Sequence, residues 1–483
     1  MEKNLTLMTD LYQLTMMQGY FKSNKHNKKT VFDVFYRKNP SNNGYAIACG
    51  LEQVVEYIKN IKFTNSDIEY LKSLNIFEEN FLEYLKDFCF NGNIYAIPEG
   101  TVVFPNEPLI RVEASIGEAQ FIETTILNII NHQSLIATKA SRVAWAAQND
   151  NIIEMGLRRA QGPDAGIYGS RACIIGGCAS TSNVLAGKMF DIPVLGTHSH
   201  SWIMSFENEI TAFRTYAKIY PEKCILLVDT YDTLKSGVPN AIKVFNEMKE
   251  SGIKLKNYGI RLDSGDLSYI SEKARKMLDK AGFENATITA SSDLDEYIIS
   301  SLKQQGTKIN NWGVGTSLIT SSDCPAFGGV YKLAAEEKNG EIIPKIKLSE
   351  NLDKVTNPGI KKIFRLYDKK TNKIKADLIA LEYEKIDETK DLTIFHPIAT
   401  WKKMTLKANE YYVKELLEPV FLNGKCVFEK RSVLDIKKYC TNQKESLWNE
   451  YKRLINPHIF PVDLSEDLYK LKQKLIDEIR DKK

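Results

Sequence analysis

The stretches CILLVDTYDTLKSG (224–237) and YGIRLDSGDL (258–267) decide the fold. Each opens with a short apolar run, closes that run on a carboxylate and passes into a polar segment. This is the pattern of a parallel strand buried on both faces and followed by a crossover helix. It recurs in both directions, at NIIEMGL (151–157), IPVLGT (192–197), ATITAS (286–291) and NWGVGT (311–316). The first residues of these runs lie 41, 32, 34, 28 and 25 positions apart, the length of a strand–helix unit. That spacing predicts an α/β barrel over residues 116–335. An open doubly wound sheet has the same local pattern. The barrel is favoured because the chemically interesting residues cluster just past the strand C-termini, where barrels carry their active sites.

Outside this region the period changes. TVFDVFYRK (30–38) and the proline-punctuated IYAIPEGTVVFPNEPLIRVEA (94–114) predict a β-rich domain over residues 1–115. Ile122, Ile126, Ile129, Ile130, Ile136, Ala140 and Val143 recur at helical spacing and predict a long helix over 117–148. Residues 336–483 are lysine-rich hairpin material, such as KKIFRLYDKKTNKIKADLIALEYE (361–384), ending in a polar helix with a solvated charged face. This segment is either a third unit or packs back on residues 1–115.

The chain has 483 residues, 43% hydrophobic and 26% charged, which excludes general disorder. A net charge of +4 with interleaved signs leaves no electrostatic footprint for nucleic acid. No apolar run approaches the ~18 residues of a membrane span, and the N-terminus has no signal-peptide h-region. The eight cysteines are scattered without a C-x-x-C pair and read as reduced residues of a cytoplasmic protein.

Six groups carry chemistry. His198 and His200, in THSHSW, follow an apolar run and read either as a metal-binding pair on one strand face or as one acid/base or covalently modified histidine. Asp229 is a carboxylate at the end of the next strand, able to orient a histidine. Arg261 and Asp263 share a strand face: the arginine suits a planar carboxylate, the aspartate a ribose hydroxyl or magnesium. Gly315 and Thr316 end the last strand, where backbone N–H groups can meet phosphate oxygens. Arg158, Arg159 and Arg171 lie among glycines and suit a diphosphate. GGCASTSN (176–183) packs small residues, either for close helix contact or to leave room for a flat ring.

Taken together, these motifs resemble the nicotinate phosphoribosyltransferase family of type II phosphoribosyltransferases. The likeness runs through TDLYQLTMMQGY (9–20), FDVFYRKNP (32–40), PEGTVVFPNEPLIRVE (98–113), NHQSLIATKASRV (131–143), GLRRAQGPDAG (156–166), VLGTHSHSW, DTYDTLKSG, IRLDSGDL, VGTSLIT and GGVYKL (328–333). It implies an irregular TIM-like α/β barrel plus a β-rich α/β sandwich domain formed by the N-terminal and C-terminal segments. It also implies an ATP-coupled, ligase-type reaction that joins nicotinate to 5-phosphoribosyl 1-pyrophosphate in NAD salvage. By that resemblance His200 is the phosphohistidine and Asp229 its orienting carboxylate. Tyr12, Thr197 and Arg261 bind nicotinate, with Tyr12 supplied by the partner subunit of a homodimer. Arg158, Arg171, Asp263, Gly315 and Thr316 hold phosphoribosyl pyrophosphate. Magnesium arrives with the substrates, so no protein metal site is expected. His198 reads as a supporting residue and His132 as structural. The alternatives are a nicotinamide-using sister enzyme, which the neutral hydroxyls of Ser180, Thr181 and Ser182 disfavour, and a metal-dependent barrel hydrolase.

Overall fold

The structure, a computed structural model, describes residues 4–351, 354–399 and 401–481. The chain forms two compact units. One combines the chain up to Leu135 with Ala326–Arg431 and the chain from Lys438; the other is Ile136–Pro325 with Ser432–Lys437. The division therefore falls at 136 and 325, inside the long helix Glu123–Ala147 at its first boundary.

The second unit is an irregular α/β barrel. Its strands are β1 (Asn151–Glu154), β2 (Ser180–Thr181), β3 (Lys223–Leu227), β4 (Asn257–Leu262), β5 (Thr287–Ala290) and β6 (Asn311–Val314). They pair in parallel in the spatial order β2-β1-β6-β5-β4-β3. Cys224, Leu226, Leu227, Ile260, Leu262, Ile288, Ala290, Trp312 and Val314 are buried, as strands covered on both faces require. Helices Val238–Glu250, Leu267–Lys280 and Glu296–Gln304 make the crossovers. Gly237 lets the first of them begin tight against β3: a Cβ there would stand 1.8 Å from the Val228 carbonyl oxygen.

Two expectations about the strands are corrected. IPVLGT forms no strand and makes one bridge, Val194 with Thr181. Pro193 has no N–H to give a ladder, the partner strand is two residues long, and Val194 and Leu195 stand 42% and 41% exposed. β2, Ser180–Thr181, lies in the stretch whose small residues suggest close helix contact or room for a flat ring; a two-residue polar strand carries no apolar signal. The wall is consequently incomplete between residues 192–199 and β3. There His198 Nε2 accepts the Leu227 N–H at 3.3 Å, a side chain standing where a backbone rung would be.

The first unit interleaves the two ends of the chain. Its seven-stranded antiparallel sheet runs, in spatial order, Glu341–Pro344, Gly329–Lys338, Lys29–Tyr36, Ile110–Ser115, Asn93–Ala96, Glu418–Leu422, Lys425–Cys426. A six-stranded sheet, including the hairpin Lys361–Asp368 with Ile374–Leu381, is built wholly from the C-terminal segment. Residues 336–483 thus share a sheet with the N-terminal segment. The N-terminal part is less purely β than its sequence suggests: helices Leu11–Lys22, Leu51–Lys59, Asn65–Ser73 and Glu79–Lys86 fill it, the third opened by a Thr64–Asp67 capping box.

Candidate active site

Just past the C-terminal ends of β1, β3, β4 and β6 lie Arg158, Asp229, Asp263 and Gly315 with Thr316, and Arg261 lies within the last two residues of β4. At β4, Arg261 faces one way with Asp263 just beyond the strand. The Arg261 Nη1 donates to Thr197 Oγ1 at 2.5 Å and to the His198 carbonyl at 3.1 Å, while Nη2 lies 3.9 Å from Asp263 Oδ2. Its Nε is buried without a partner. Burial draws the guanidinium pKa below its ordinary value, and Arg158 pushes the same way, while Asp263 and Asp229 oppose them. A cation in this state is stabilised by an incoming anion, and its planar fork suits a carboxylate.

His200 does not sit on a strand. Residues 195–199 are irregular and His200 opens the short helix His200–Met204, so strand alternation does not align it with His198. Its Nδ1 lies 3.1 Å from Thr230 Oγ1 and its Nε2 lies 3.5 Å from Asp263 Oδ2. The carboxylate beside His200 is therefore Asp263, not Asp229. Asp229 turns its Oδ2 across to β4, accepting the Asp263 N–H at 2.8 Å and the Ser264 hydroxyl at 2.6 Å. Its Oδ1 remains buried and unpartnered. Asp263 is further held by the hydroxyl of Ser291, past the end of β5, which donates to its Oδ1.

His198 has a different character. Its ring packs edge-on to Tyr216 at 4.7 Å, and burial lowers its pKa to about 4, with Arg261 and His200 adding to the shift. It is neutral at physiological pH, and its Nε2 is occupied by Leu227. The reading of His198 and His200 as one metal-binding pair does not survive this geometry. Among the described residues no group of three or more His, Cys, Asp or Glu is arranged to hold a metal ion.

At β1 and β6 the chain forms two adjoining turns. Arg158 and Arg159 are exposed on the 3₁₀ turn Leu157–Arg159, and Gly315 precedes the short helix Thr316–Ile319, with Thr316 exposed. The turns touch: a Cβ on Gly156 would meet Ile319 Cβ at 2.5 Å and the Gly315 carbonyl at 2.9 Å. Arg171 departs from expectation. It is fully buried on the helix Pro163–Gly176, its guanidinium 5.8 Å from the Phe190 ring centroid, so it does not face solvent beside Arg158. Tyr12 belongs to the other unit, on the helix Leu11–Lys22, where it is 47% exposed beside exposed Leu11 and Met16.

One residue that sequence reasoning missed is Glu154, at the end of β1. It is fully buried and accepts hydrogen bonds from the Gly156 N–H, from Ser170 Oγ at 3.0 Å and from Thr181 Oγ1 at 2.5 Å. A carboxylate closing an apolar strand was the available signal.

A barrel mouth that presents a desolvated arginine, a histidine between a hydroxyl and a carboxylate, and two adjoining basic and glycine turns has the chemistry that anionic, phosphorylated ligands require. Sequence profiles of the nicotinate phosphoribosyltransferase N-terminal and C-terminal domains match residues 7–131 and 360–472. The nicotinate phosphoribosyltransferase of Bacillus subtilis is 47% identical over 479 residues, covering 99% of this chain and 96% of that protein. The crystal structure of human nicotinic acid phosphoribosyltransferase superposes with a TM-score of 0.84 at 28% identity, covering 97% of this chain and all of the other. A nicotinate-nucleotide pyrophosphorylase from Pyrococcus furiosus shares the fold at a TM-score of 0.69 and 22% identity. The chain belongs to the nicotinate phosphoribosyltransferase family.

Proposed function

We propose that this chain joins nicotinate to 5-phosphoribosyl 1-pyrophosphate, giving nicotinate mononucleotide and pyrophosphate in NAD salvage, coupled to ATP hydrolysis through phosphorylation of His200. The observation that carries the reading is the Arg261 guanidinium, desolvated, anchored through one nitrogen on Thr197 and left with donors for a carboxylate. Family membership supports the same reaction.

In the glycosyl step the pyridine nitrogen lone pair forms the bond to the ribose anomeric carbon. The carbon–oxygen bond to pyrophosphate breaks, and its electron pair leaves with the pyrophosphate. No proton moves at the ring nitrogen, so catalysis rests on positioning and electrostatics. Arg261 and Thr197 fix the ring through its carboxylate. Asp263 lies between Arg261 and His200, placed to accept from ribose hydroxyls. Arg158, Gly315 and Thr316 take the phosphates. Asp229 and Asp263 fit a magnesium ion held mainly by substrate oxygens, since Asp229 keeps a buried carboxylate oxygen unpartnered. When bound, magnesium would stabilise the negative charge growing on the departing pyrophosphate.

In the ATP step, the Asp263 carboxylate favours the proton on the Nε2 that faces it, so Nδ1, accepting from the Thr230 hydroxyl, carries the lone pair of His200 that attacks the γ-phosphorus. The phosphorus–oxygen bond breaks and ADP leaves; water later cleaves the nitrogen–phosphorus bond. The added charge, about −1.5 to −2 if it matches other phosphorylated residues, would tighten substrate and magnesium binding until hydrolysis resets the site. Tyr12 would enter the partner subunit's site in a homodimer.

The deciding experiment measures nicotinate mononucleotide formed from nicotinate, phosphoribosyl pyrophosphate and magnesium, with and without ATP. Product made faster and further with ATP supports reaction and coupling together. His200→Ala should abolish the coupling while leaving slow uncoupled synthesis. Mixing Tyr12→Ala with Arg261→Ala subunits should restore activity if sites are shared.

A further inference from the structure

We propose that Glu154 is a positioning residue for the phosphoribosyl pyrophosphate site, setting the turn Gly156–Arg159 so that Arg158 meets the ligand's phosphates. The proposal rests on the reading of Arg158 given above. Glu154 reaches no substrate itself: its side chain is 0% exposed and both oxygens are engaged from within the barrel. Its Oε1 takes the Gly156 N–H, the first donor of the turn that carries Arg158. Its Oε2 takes the hydroxyls of Ser170, on the helix Pro163–Gly176, and of Thr181, on β2.

The surrounding bonds extend this grip on both sides of the turn. Asn183 Nδ2 donates to the Gly166 carbonyl at 3.2 Å and to Ser170 Oγ at 3.3 Å, while its own N–H bonds Thr181 Oγ1 at 3.0 Å. The segment from Gly156 to Gly166, which carries Arg158, is thus held at its start and its end by one buried polar cluster centred on a single carboxylate. Gly156 also lies against the Gly315–Ile319 turn too closely for any side chain. Fixing Gly156 therefore fixes the spacing between the arginine arm and the glycine arm of the anion site. A charged acceptor serves this role because it takes three donors at once, which a neutral amide with one oxygen cannot.

Glu154→Gln keeps the size but not the second acceptor oxygen. It should raise KM for phosphoribosyl pyrophosphate by roughly tenfold, the worth of one weakened charge-assisted contact, and leave KM for nicotinate within about twofold. Ser170→Ala, a smaller change, should shift the same parameter less and in the same direction. Trypsin should cut after Arg158 or Arg159 faster in Glu154→Gln than in the parent, a readout that needs no substrate. Combined with Arg158→Ala, Glu154→Gln should add nothing further to KM. An equal loss on both substrates with unchanged cleavage, or full additivity in the double variant, overturns the proposal. If Arg158→Ala alone leaves KM unchanged, the phosphate role of Arg158 fails, and the cleavage rate still decides whether Glu154 sets the turn.

Discussion

Replacing Arg261 by lysine keeps the charge and removes the fork. In the parent, Nη1 is committed to Thr197 Oγ1 at 2.5 Å and the His198 carbonyl at 3.1 Å, leaving Nη2, 3.9 Å from Asp263 Oδ2, for the ligand's carboxylate. A lysine ammonium is one point on a flexible stem; if it bonds Thr197 it has no second nitrogen for the ligand. The loss is one hydrogen bond between charged groups, about 1.5–3 kcal/mol, or roughly 10–150-fold in kcat/KM for nicotinate. The Arg261 side chain is only 14% exposed, so the variant's unfolding temperature is measured alongside. Initial rates of mononucleotide formation at saturating phosphoribosyl pyrophosphate read the effect. It should fall on nicotinate and leave KM for the phosphorylated substrate near the parent value. A kcat/KM within threefold of the parent, in a folded variant, would refute the assignment of the carboxylate to Arg261.

Other consequences are as direct. His198 has a folded pKa of about 4 against about 6.5 when unfolded, so below pH 6.5 the unfolded chain binds a proton that the folded one does not. Stability should therefore decline from pH 6.5 towards 4, by about 2 kcal/mol from this group at pH 4.5, and His198→Asn should remove that component in urea unfolding at pH 7.5 and 4.5. Thr230→Val deletes the hydroxyl on His200 Nδ1 and should cut the ATP-stimulated rate about fivefold, with the ATP-independent rate unchanged. Lys139 and Arg142 share the buried Glu296, with the Lys139 ammonium also 2.6 Å from Asp323. Lys139→Met should cost about 3–5 kcal/mol in unfolding, since it leaves Glu296 short of a counter-charge in the interior.

What the sequence made legible follows from burial. CILLVD, YGIRLD and NWGVGT read as strands because parallel strands covered on both faces must be apolar along their length. IPVLGT had the same look for a different reason: Val194 and Leu195 are exposed, so their apolar character marks no interior. Ser180–Thr181 escaped because two small polar residues carry no apolar signal, and the buried Thr181 hydroxyl is met by Glu154 and the Asn183 N–H rather than by apolar contact. Within the site, Arg261 with Asp263 could be placed from alternation alone. The neighbour of His200 could not, because choosing between Asp229 and Asp263 depends on how two loops lean across adjacent strands. Arg171 shows the same limit: glycine-rich basic sequence suggests arginines gathered at one mouth, while the direction each takes from its helix or turn is set by packing, and Arg171 is buried near Phe190.

The interleaved sheet of the first unit has a consequence for the order of events during synthesis. Lys29–Tyr36 is hydrogen-bonded on one side to Gly329–Lys338, about 300 residues later in the chain. At about 5–20 residues per second, that edge waits about 15–60 s for its neighbour to leave the ribosome. The barrel strands, all between 151 and 314, emerge within that interval. The inserted unit thus has all its strands, and lacks only Ser432–Lys437, while its host is still unfinished. Until the host closes, the apolar and aromatic strand TVFDVFY (30–36), paired on one side with Ile110–Ser115, keeps its other edge open, and a nascent chain stalled before residue 329 would carry that edge unpaired.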